Sequence, residues 1–118
     1  MANGRHVLII EDEMLIAMHM AHHLTNIGFD SFAFASAQSQ ALEQARLKRP
    51  DLVTVDVSLL DGDGRAAAGA LTQELGDLAV IYVTGDPQAL ADTPGAVVVE
   101  KPFGRFELEA ACRRLHLN

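Results

Sequence analysis

The stretch that decides the fold is Leu52-Val53-Thr54-Val55-Asp56, an apolar run that follows Pro50-Asp51 and ends in a carboxylate. A short β-branched run bounded by turn residues predicts a strand that is buried on both faces of a parallel sheet. In open α/β sheets, functional groups lie at the carboxyl ends of the strands. Asp56 is therefore the first candidate for a functional residue.

Four other segments also predict strands, because they are short, apolar or aromatic, and bounded by polar or turn residues: His6–Ile10, 29–35, 78–83 and 96–99. Between the strands, apolar residues recur at helical spacing. This spacing predicts helices at Met14–Ile27, from a cap at Ser36 to just before Pro50, at 65–75 and from Phe106 to Leu117. The apolar stripe of the first helix is predicted to consist of Leu15, Met18 and Leu24, widened by Ile16, Met20 and Ile27.

Strands that alternate with helices along the whole chain require right-handed crossovers and a parallel sheet between two helix layers. The sequence therefore predicts an α/β fold, a doubly wound five-stranded parallel sheet in the order 2-1-3-4-5 with helices on both faces. Residues 88–94 leave room for a turn or two of helix, so the fourth helix is expected to be shortened. The 118 residues fit a single domain, residues 1–118.

Composition and charge exclude several classes of function. Hydrophobic residues make up 49% of the chain and charged residues 21%, as in an ordinary soluble globular protein. The formal net charge of -7 argues against direct binding to nucleic acid or to an anionic membrane. The apolar runs are shorter than the ~20 residues of a membrane helix, and the N-terminus lacks a signal peptide. We expect a cytoplasmic monomer whose single cysteine, Cys112, makes no internal disulfide.

The predicted strand order gathers charged and polar groups at one edge of the sheet. Glu11-Asp12 follow the first strand and Asp56 ends the third, so three carboxylates become neighbours. Two unit charges ~4 Å apart repel by ~4 kcal/mol at an effective dielectric of about 20. Mg²⁺ is the best candidate to relieve this repulsion, because it takes oxygen ligands and commonly uses one or two carboxylates. Thr84 and Lys101 add a hydroxyl and an ammonium from the fourth and fifth strand ends.

This set of groups is suited to phosphoryl transfer. A carboxylate attacks phosphorus once a metal ion and a lysine neutralise its charge and that of the incoming group, so Asp56 is predicted to become an aspartyl phosphate. Positioning and electrostatics suffice for this reaction. We expect the oxygens of the product to bind Mg²⁺, the Thr84 hydroxyl, the Lys101 ammonium and the backbone N–H groups that follow Asp56.

Four motifs, each at a predicted strand end, resemble those of the receiver domains of two-component response regulators. They are the acidic pair Glu11-Asp12, the acceptor Asp56, Thr84-Gly85 and Lys101-Pro102-Phe103, and the resemblance covers the whole chain. It implies the flavodoxin-like receiver fold. It also implies that Asp56 receives a phosphoryl group from the phosphohistidine of a sensor histidine kinase or of a histidine phosphotransfer protein.

For the metal site, the resemblance implies that Asp12 and the carbonyl of Ser58 bind Mg²⁺ directly beside Asp56, and that Glu11 acts mainly through water. It further implies a cis peptide bond between Lys101 and Pro102. A receiver is a phosphoacceptor signalling domain rather than an enzyme with turnover. It promotes its own phosphorylation and dephosphorylation.

The chain departs from the receiver pattern at three places. Leu60 stands where a proline is usual in the loop after the acceptor, and the interval between the fourth and fifth strands is short. Val98 stands where receivers carry a Tyr or Phe whose rotation accompanies the movement of the Thr hydroxyl, and Tyr82 lies on the preceding strand. Tyr82-Val83-Thr84-Gly85 is similar to the aromatic-x-Thr-Gly pattern of an atypical branch, found among alphaproteobacterial single-domain regulators and general-stress-response regulators.

Three functions stay open at this point. We expect a stand-alone receiver that acts as a switch, a phosphorelay intermediate or a phosphate sink. Its downstream partner is expected to recognise the surface around the shortened fourth helix, the fifth strand and the last helix. An aspartyl-phosphate hydrolase would need a carboxylate two residues after the nucleophile, where Ser58 stands. A pseudo-receiver would bind proteins without phosphorylation. Val98 keeps the pseudo-receiver open as an alternative. Four intact residues argue against it: Asp12, Asp56, Thr84 and Lys101.

Three histidines on the predicted first helix suggest a second metal site. His19, His22 and His23 are spaced so that His19 lies beside the other two on a helix. The same spacing is also typical of the polar face of a surface helix. We favour the surface helix, because no cysteine or carboxylate of another element obviously joins the histidines.

Overall fold

Five parallel strands form the sheet of the computed structural model, which describes residues 5–117, so that residues 1–4 and 118 of the predicted single domain lie outside the described residues. The strands are β1 (His6–Ile10), β2 (Ser31–Ala35), β3 (Leu52–Asp56), β4 (Val80–Thr84) and β5 (Val97–Glu100). They pair in parallel in the order β2-β1-β3-β4-β5. The predicted doubly wound α/β fold is confirmed.

Among residues 5–117, four α-helices cover the sheet: α1 (Met14–Ile27), α2 (Gln38–Leu47), α3 (Gly64–Leu75) and α4 (Arg105–Arg114). Helices α1 and α4 pack together on one face, and α2 and α3 on the other. Between β4 and β5 the chain forms a 3₁₀ turn, Pro87–Leu90, so the prediction of a shortened fourth helix is confirmed. Within the described residues, none of the helices has the length and hydropathy that crossing a bilayer demands.

The side chains of each central strand point alternately into two hydrophobic cores. The core under α1 and α4 includes Val7, Ile9, Met20, Leu24, Ile81, Val83, Val99 and Leu108. The core under α2 and α3 includes Leu8, Ile10, Val53, Val55, Ala67 and Leu71. Because β1 and β3 are buried on both faces, they need continuous apolar runs, and their limits are therefore readable in the sequence.

A small hairpin follows β3 in the segment that the sequence predicts as a loop. Its two-residue strands, Ser58–Leu59 and Gly62–Asp63, pair antiparallel. Gly62 has a φ of +113°, a backbone conformation that glycine adopts without strain, and so it permits the tight turn. Asp63 then caps α3, because its carboxylate accepts a hydrogen bond of 2.8 Å from the Arg65 N–H.

The buried face of α1 differs from the predicted stripe. Leu15 and Met18 are 83% and 57% exposed, whereas Ala17, Met20 and Leu24 form the buried face. Apolar residues occupy more than one side of this helix, so helical spacing alone fits two different stripes. The prediction was wrong for Leu15 and Met18. Two other large apolar side chains, one near the end of α2 and one near the start of α4, are also exposed: Leu47 and Phe106.

Several element ends also differ from the prediction, among them the starts of β2 and α2. Strand β2 begins at Ser31 rather than at residue 29, because Phe29 packs into the core before strand pairing starts. Ser36 does not cap α2, since Ala37 occupies the cap position. The N–H and the hydroxyl of Ser36 each donate to the side-chain oxygen of Gln40 at 2.8 Å. The serine therefore stabilises the turn that leads into the helix instead.

Candidate functional site

Four of the predicted site residues lie at the carboxyl ends of neighbouring strands. The register of β1 against β3 places Glu11 and Asp56 at equivalent positions, one residue beyond the last pair of the register, Ile10 and Val55. The pairing of β3 with β4, and of β4 with β5, brings Thr84 and Lys101 to the same edge. The strand order predicted from the sequence is therefore what assembles the site.

Asp56 is the centre of this group. The residue is 6% exposed, and both oxygens of its carboxylate have partners. The Ser58 N–H donates to Oδ1 at 3.0 Å, and the Lys101 Nζ donates to Oδ2 at 2.9 Å. The same Lys101 Nζ lies 3.3 Å from Glu11 Oε1, so one ammonium serves two buried carboxylates. This ammonium offsets part of the negative charge at the sheet edge.

Lys101 is joined to two strands at once. Its backbone N–H donates to the Thr84 carbonyl at 2.8 Å, while its side chain reaches Asp56. The peptide bond to Pro102 is cis, as the family resemblance implies, and the following Phe103 is buried. The backbone on both sides of the lysine is therefore held in place, which directs its long side chain toward the acceptor.

The pKa values of Glu11 and Lys101 are both raised in the site. Burial raises the pKa of the Glu11 carboxyl to about 7, the Asp56 charge adds to this shift, and the Glu13 N–H and Lys101 oppose it. Burial lowers the pKa of the Lys101 ammonium, but its hydrogen bond with Asp56 and the charge of Glu11 outweigh that effect, so its pKa is raised. Lys101 therefore remains charged beside the carboxylates.

The carboxylates fit a hard divalent cation. Oxygens of Glu11, Asp12 and Asp56 all lie within 4.8 Å of one another, and oxygen ligands are those that Mg²⁺ prefers. Asp12 is less buried than the other two, and it accepts a hydrogen bond from the Leu60 N–H, which ties the hairpin after β3 to the site. Ser58 contacts Asp56 through its N–H, and a role for its carbonyl as a ligand stays a prediction.

The Thr84 hydroxyl is engaged elsewhere. Thr84 is 5% exposed and lies at the predicted edge, but its Oγ1 accepts from the Asp86 N–H at 3.0 Å and donates to the Asp86 carbonyl at 3.2 Å. The structure therefore brings the backbone of Thr84 to the site while its hydroxyl closes a local turn. To donate to a group on Asp56, the hydroxyl must give up its bond to the Asp86 carbonyl.

Gly64 is a requirement of the site that the sequence patterns did not reveal. A Cβ at this position would lie 2.0 Å from the Asp56 carbonyl oxygen and 2.9 Å from the Val55 side chain. Helix α3 therefore starts in direct contact with the backbone of the acceptor. The available signal was a glycine at the first helical position directly after an Asp cap, since glycine is more often found just past the end of a helix.

The three histidines of α1 lie away from the carboxylates. His19 Nε2 and His23 Nε2 are hydrogen bonded at 3.2 Å, and the ring centre of Phe103 is 5.3 Å from that of His19. Among residues 5–117, the carboxylates of the site form the one group of three or more side chains spaced to share a metal ion. The geometry agrees with a surface helix whose imidazoles contact each other and Phe103.

Tyr82 and Val98 are direct neighbours in the sheet. The register of β4 against β5 pairs them, so their half-buried side chains share one face. The tyrosine ring therefore lies beside the position at which receivers carry their aromatic residue, although it belongs to the neighbouring strand. Burial raises the pKa of the Tyr82 phenol, and the Arg65 charge opposes this shift.

Comparison with known proteins gives the family. Residues 7–113 match the family described as the response regulator receiver domain. The transcriptional regulatory protein PdtaR of Mycobacterium tuberculosis is 40% identical over 70 residues, which cover 59% of this chain and 34% of that protein. The phyllosphere-induced regulator PhyR of Methylorubrum extorquens is 33% identical over 102 residues, covering 82% of this chain and 38% of that protein.

A solved structure agrees with the family match. The receiver domain of the response regulator PhyR from Erythrobacter litoralis has a TM-score of 0.87 and 30% identity, over 98% of this chain and 93% of that one. The chain spans about a third of the length of the curated relatives PdtaR and PhyR, 34% and 38%. Because the family match runs over residues 7–113 of the 118, the chain belongs to the response regulator receiver domain family.

Proposed function

We propose that this chain accepts a phosphoryl group on Asp56 from the phosphohistidine of a sensor histidine kinase or of a histidine phosphotransfer protein, in a Mg²⁺-dependent reaction. The observation that carries the proposal is the buried Asp56 carboxylate with the Lys101 Nζ at 2.9 Å and two further carboxylates within 4.8 Å. The phosphorylated domain acts as a signalling switch, a relay intermediate or a phosphate sink.

In this reaction the bond between phosphorus and the histidine nitrogen breaks as a bond from an Asp56 carboxylate oxygen to phosphorus forms. Lys101 turns from Asp56 to an oxygen of the phosphoryl group, and the Ser58 N–H stays close to the acceptor. Glu11, Asp12, Asp56 and the Ser58 carbonyl are the residues that hold Mg²⁺ in this proposal. Bound Mg²⁺ supplies positive charge that stabilises the transferring phosphoryl oxygens.

Thr84 connects the reaction to a change in shape. Its hydroxyl exchanges the Asp86 backbone for a phosphoryl oxygen, which leaves the Asp86 N–H without its present acceptor. The rearrangement then starts in the segment between β4 and β5 and reaches the surface formed by this segment, β5 and α4. A downstream protein recognises this surface. Amide shift changes on adding beryllofluoride that stay confined to the loops around Asp12 and Asp56 would contradict this readout.

The proposal also covers the organisation of the protein. Residues 1–118 form one receiver domain that is monomeric and works in the cytoplasm, without contact to nucleic acid or membrane. The net charge of -7 supports the absence of anionic partners. The domain promotes its own phosphorylation and dephosphorylation and has no other turnover. The molar mass from light scattering, before and after treatment with beryllofluoride, tests whether the domain is monomeric.

The decisive experiment offers a small acyl phosphate and Mg²⁺ to the protein and follows adduct formation by intact mass. We expect one acid-labile phosphoryl group per chain, lost in Asp56→Asn and when Mg²⁺ is chelated. Asp51→Asn is the matched control, because Asp51 is an aspartate at the opposite edge of the sheet that accepts the His6 N–H. Wild-type protein that forms no adduct contradicts the proposal, and turnover of the donor without any accumulated adduct would instead indicate a hydrolase.

A second candidate is a protein-binding module that works without phosphorylation. The observation in its favour is that Val98 has no ring and that the Thr84 hydroxyl is already bonded to Asp86. A solved relative with 27% identity and a TM-score of 0.85, PhyR from Bartonella quintana, is described as an anti-anti-sigma factor. Partner binding by Asp56→Asn that equals binding by phosphorylated wild type would establish this second function.

A further inference from the structure

The segment between Thr84 and β5, which we call the connection segment (residues 85–95), has few attachments to the rest of the domain. At one end, the Asp86 backbone is bonded to the Thr84 hydroxyl. In its middle, the Asp86 carboxylate caps the 3₁₀ turn through the Gln88 N–H at 3.1 Å, and Leu90 is buried. The other backbone–backbone hydrogen bonds described for it run within the segment or to the adjoining Ala96 N–H. Its position therefore depends on a few identifiable contacts.

Arg65 makes one of these contacts. Its Nη1 donates to the Ala89 carbonyl at 3.0 Å, and among the described residues this is the one hydrogen bond that joins the connection segment to helix α3. The guanidinium is oriented by Asp63, whose Oδ2 accepts from Nη2 at 2.9 Å. A planar guanidinium with donors in a fixed fork can serve a carboxylate and a carbonyl together, which a lysine ammonium on a flexible stem does less well.

The other end of this contact is held against the acceptor. Arg65 is the second residue of α3, and the first, Gly64, lies so close to the Asp56 carbonyl that a Cβ there would be 2.0 Å from its oxygen. The first turn of α3 cannot move far without moving the Asp56 backbone. Arg65 therefore fastens the connection segment to a fixed point beside the acceptor.

We propose that Arg65 is a positioning residue that restrains Thr84, and this inference rests on the proposed phosphorylation of Asp56. By holding the Ala89 carbonyl, Arg65 keeps the 3₁₀ turn in the place at which the Asp86 backbone satisfies the Thr84 hydroxyl. The contact stabilises the arrangement with the hydroxyl turned away from Asp56. Loss of the contact shifts the population toward the arrangement in which Thr84 binds a phosphoryl oxygen.

The first test needs no phosphate. Amide hydrogen exchange is measured on the Asp86 N–H, which donates to Thr84, in wild type, Arg65→Gln and Arg65→Lys. We expect exchange to become about fivefold faster in both variants, because a lysine keeps the charge but cannot reproduce the fork. Arg49→Gln is the control, since Arg49 also donates to backbone carbonyls, those of Leu75 and Asp77, on the other side of the domain. Unchanged Asp86 exchange in both Arg65 variants overturns the inference.

The second test measures the apparent affinity for beryllofluoride in the presence of Mg²⁺. We expect both Arg65 variants to bind about fivefold more tightly than wild type and Arg49→Gln to be unchanged. Removal of a positive charge alone weakens anion binding, so tighter binding by Arg65→Gln cannot come from charge. Equal or weaker binding by the Arg65 variants overturns the inference alone. Failure of wild type to respond to beryllofluoride or to form an adduct overturns the proposed function. The exchange measurement on the Asp86 N–H needs no phosphate, so it tests the Arg65 contact independently of that function.

Discussion

The two edges of this sheet place charge around their buried polar residues in opposite ways. At the amino ends of the strands, the His6 N–H donates to Asp51 at 2.7 Å, and His6 Nδ1 lies 2.7 Å from the Ser31 hydroxyl. The same hydroxyl accepts from the Lys48 Nζ at 2.9 Å. One carboxylate and one ammonium are thus present together with neutral partners, and charge at this edge is balanced.

At the carboxyl ends, the Lys101 ammonium contacts Glu11 and Asp56, and Asp12 adds a third carboxylate within 4.8 Å of these two. Burial raises the pKa of Glu11 to about 7, which shows that the site disfavours its third negative charge. Both edges are built from the ends of the same strands, so the fold does not require this imbalance. The difference teaches that the excess of carboxylates is specific to one edge, and it supports the proposals of a bound cation and of chemistry at Asp56.

The largest effect is expected from Gly64→Ala, which tests whether the carboxyl edge depends on close backbone contact. The new methyl group would lie 2.0 Å from the Asp56 carbonyl oxygen, and backbone atoms must shift to admit it. We expect the free energy of unfolding to fall by about 3 kcal/mol. Gly69→Ala is the control in the same helix, because no atom lies within 4 Å of its new methyl group, and it should be neutral or stabilising. Equal stability of the two variants in urea denaturation would contradict the close contact.

Lys101→Met tests the charge balance itself. Loss of the ammonium leaves the carboxylates without a cation, and since Lys101 is 22% exposed we expect a cost of about 2 kcal/mol rather than that of a fully buried pair. Added Mg²⁺ should restore part of this loss, because it binds the folded state and replaces the missing charge. Lys48→Met at the other edge should cost less and show no response to Mg²⁺. Thermal unfolding with and without Mg²⁺ measures this response. A similar Mg²⁺ response in both variants would remove the distinction between the edges.

A smaller, pH-dependent effect is expected at the balanced edge. Burial lowers the pKa of the His6 imidazole, and the Lys48 charge lowers it further. Below about 6.5, the ordinary pKa of histidine, the unfolded chain binds a proton that the folded chain does not. Stability should therefore fall as the pH drops from that value through the folded-state pKa. In urea denaturation at a series of pH values, His6→Gln should lose this part of the dependence, and His22→Gln, an exposed histidine, should keep it.

The smallest effect on phosphorylation is expected from Tyr82→Leu. Tyr82 is paired with Val98 in the sheet and lies outside the acceptor site, so the yield of the phosphoryl adduct should change less than about twofold. If the Tyr82 ring replaces the missing aromatic residue as the moving part, the amide shifts that phosphorylation induces in β5 should shrink. Identical induced shifts in wild type and Tyr82→Leu would exclude a role for the ring in transmission.

The fold was predictable because the apolar runs, the helical spacing and the turn residues of the sequence all indicate the same strands and helices. β1 and α1 occupy His6–Ile10 and Met14–Ile27, as predicted, since a strand buried on both faces needs an unbroken apolar run and Gly28 ends the helix. Helix orientation was less predictable. Leu15 and Met18 fit an apolar stripe as well as Ala17 and Met20 do, and the packing partner that chooses between the stripes is distant in sequence.

The site was predictable as a set of residues and much less as a geometry. Strand order alone brings Glu11, Asp56 and Lys101 to one edge, and the hydrogen bonds among them follow. The bond between Thr84 and Asp86 and the close approach of Gly64 depend on rotamers and on the path of the backbone. Neither leaves a periodic pattern in the sequence, so both had to be seen in three dimensions.

The hydrogen bond from the Lys101 N–H to the Thr84 carbonyl, 2.8 Å long, has a consequence for evolution. It fixes the spacing of two reactive groups across the sheet, whatever length of chain runs between them. Since the entropy of closing a longer loop grows slowly with its length, this stretch can gain or lose residues at little cost. The spacing of the two groups can be inherited unchanged while the proposed readout surface diverges, and the same place is open to the insertion of a foreign peptide.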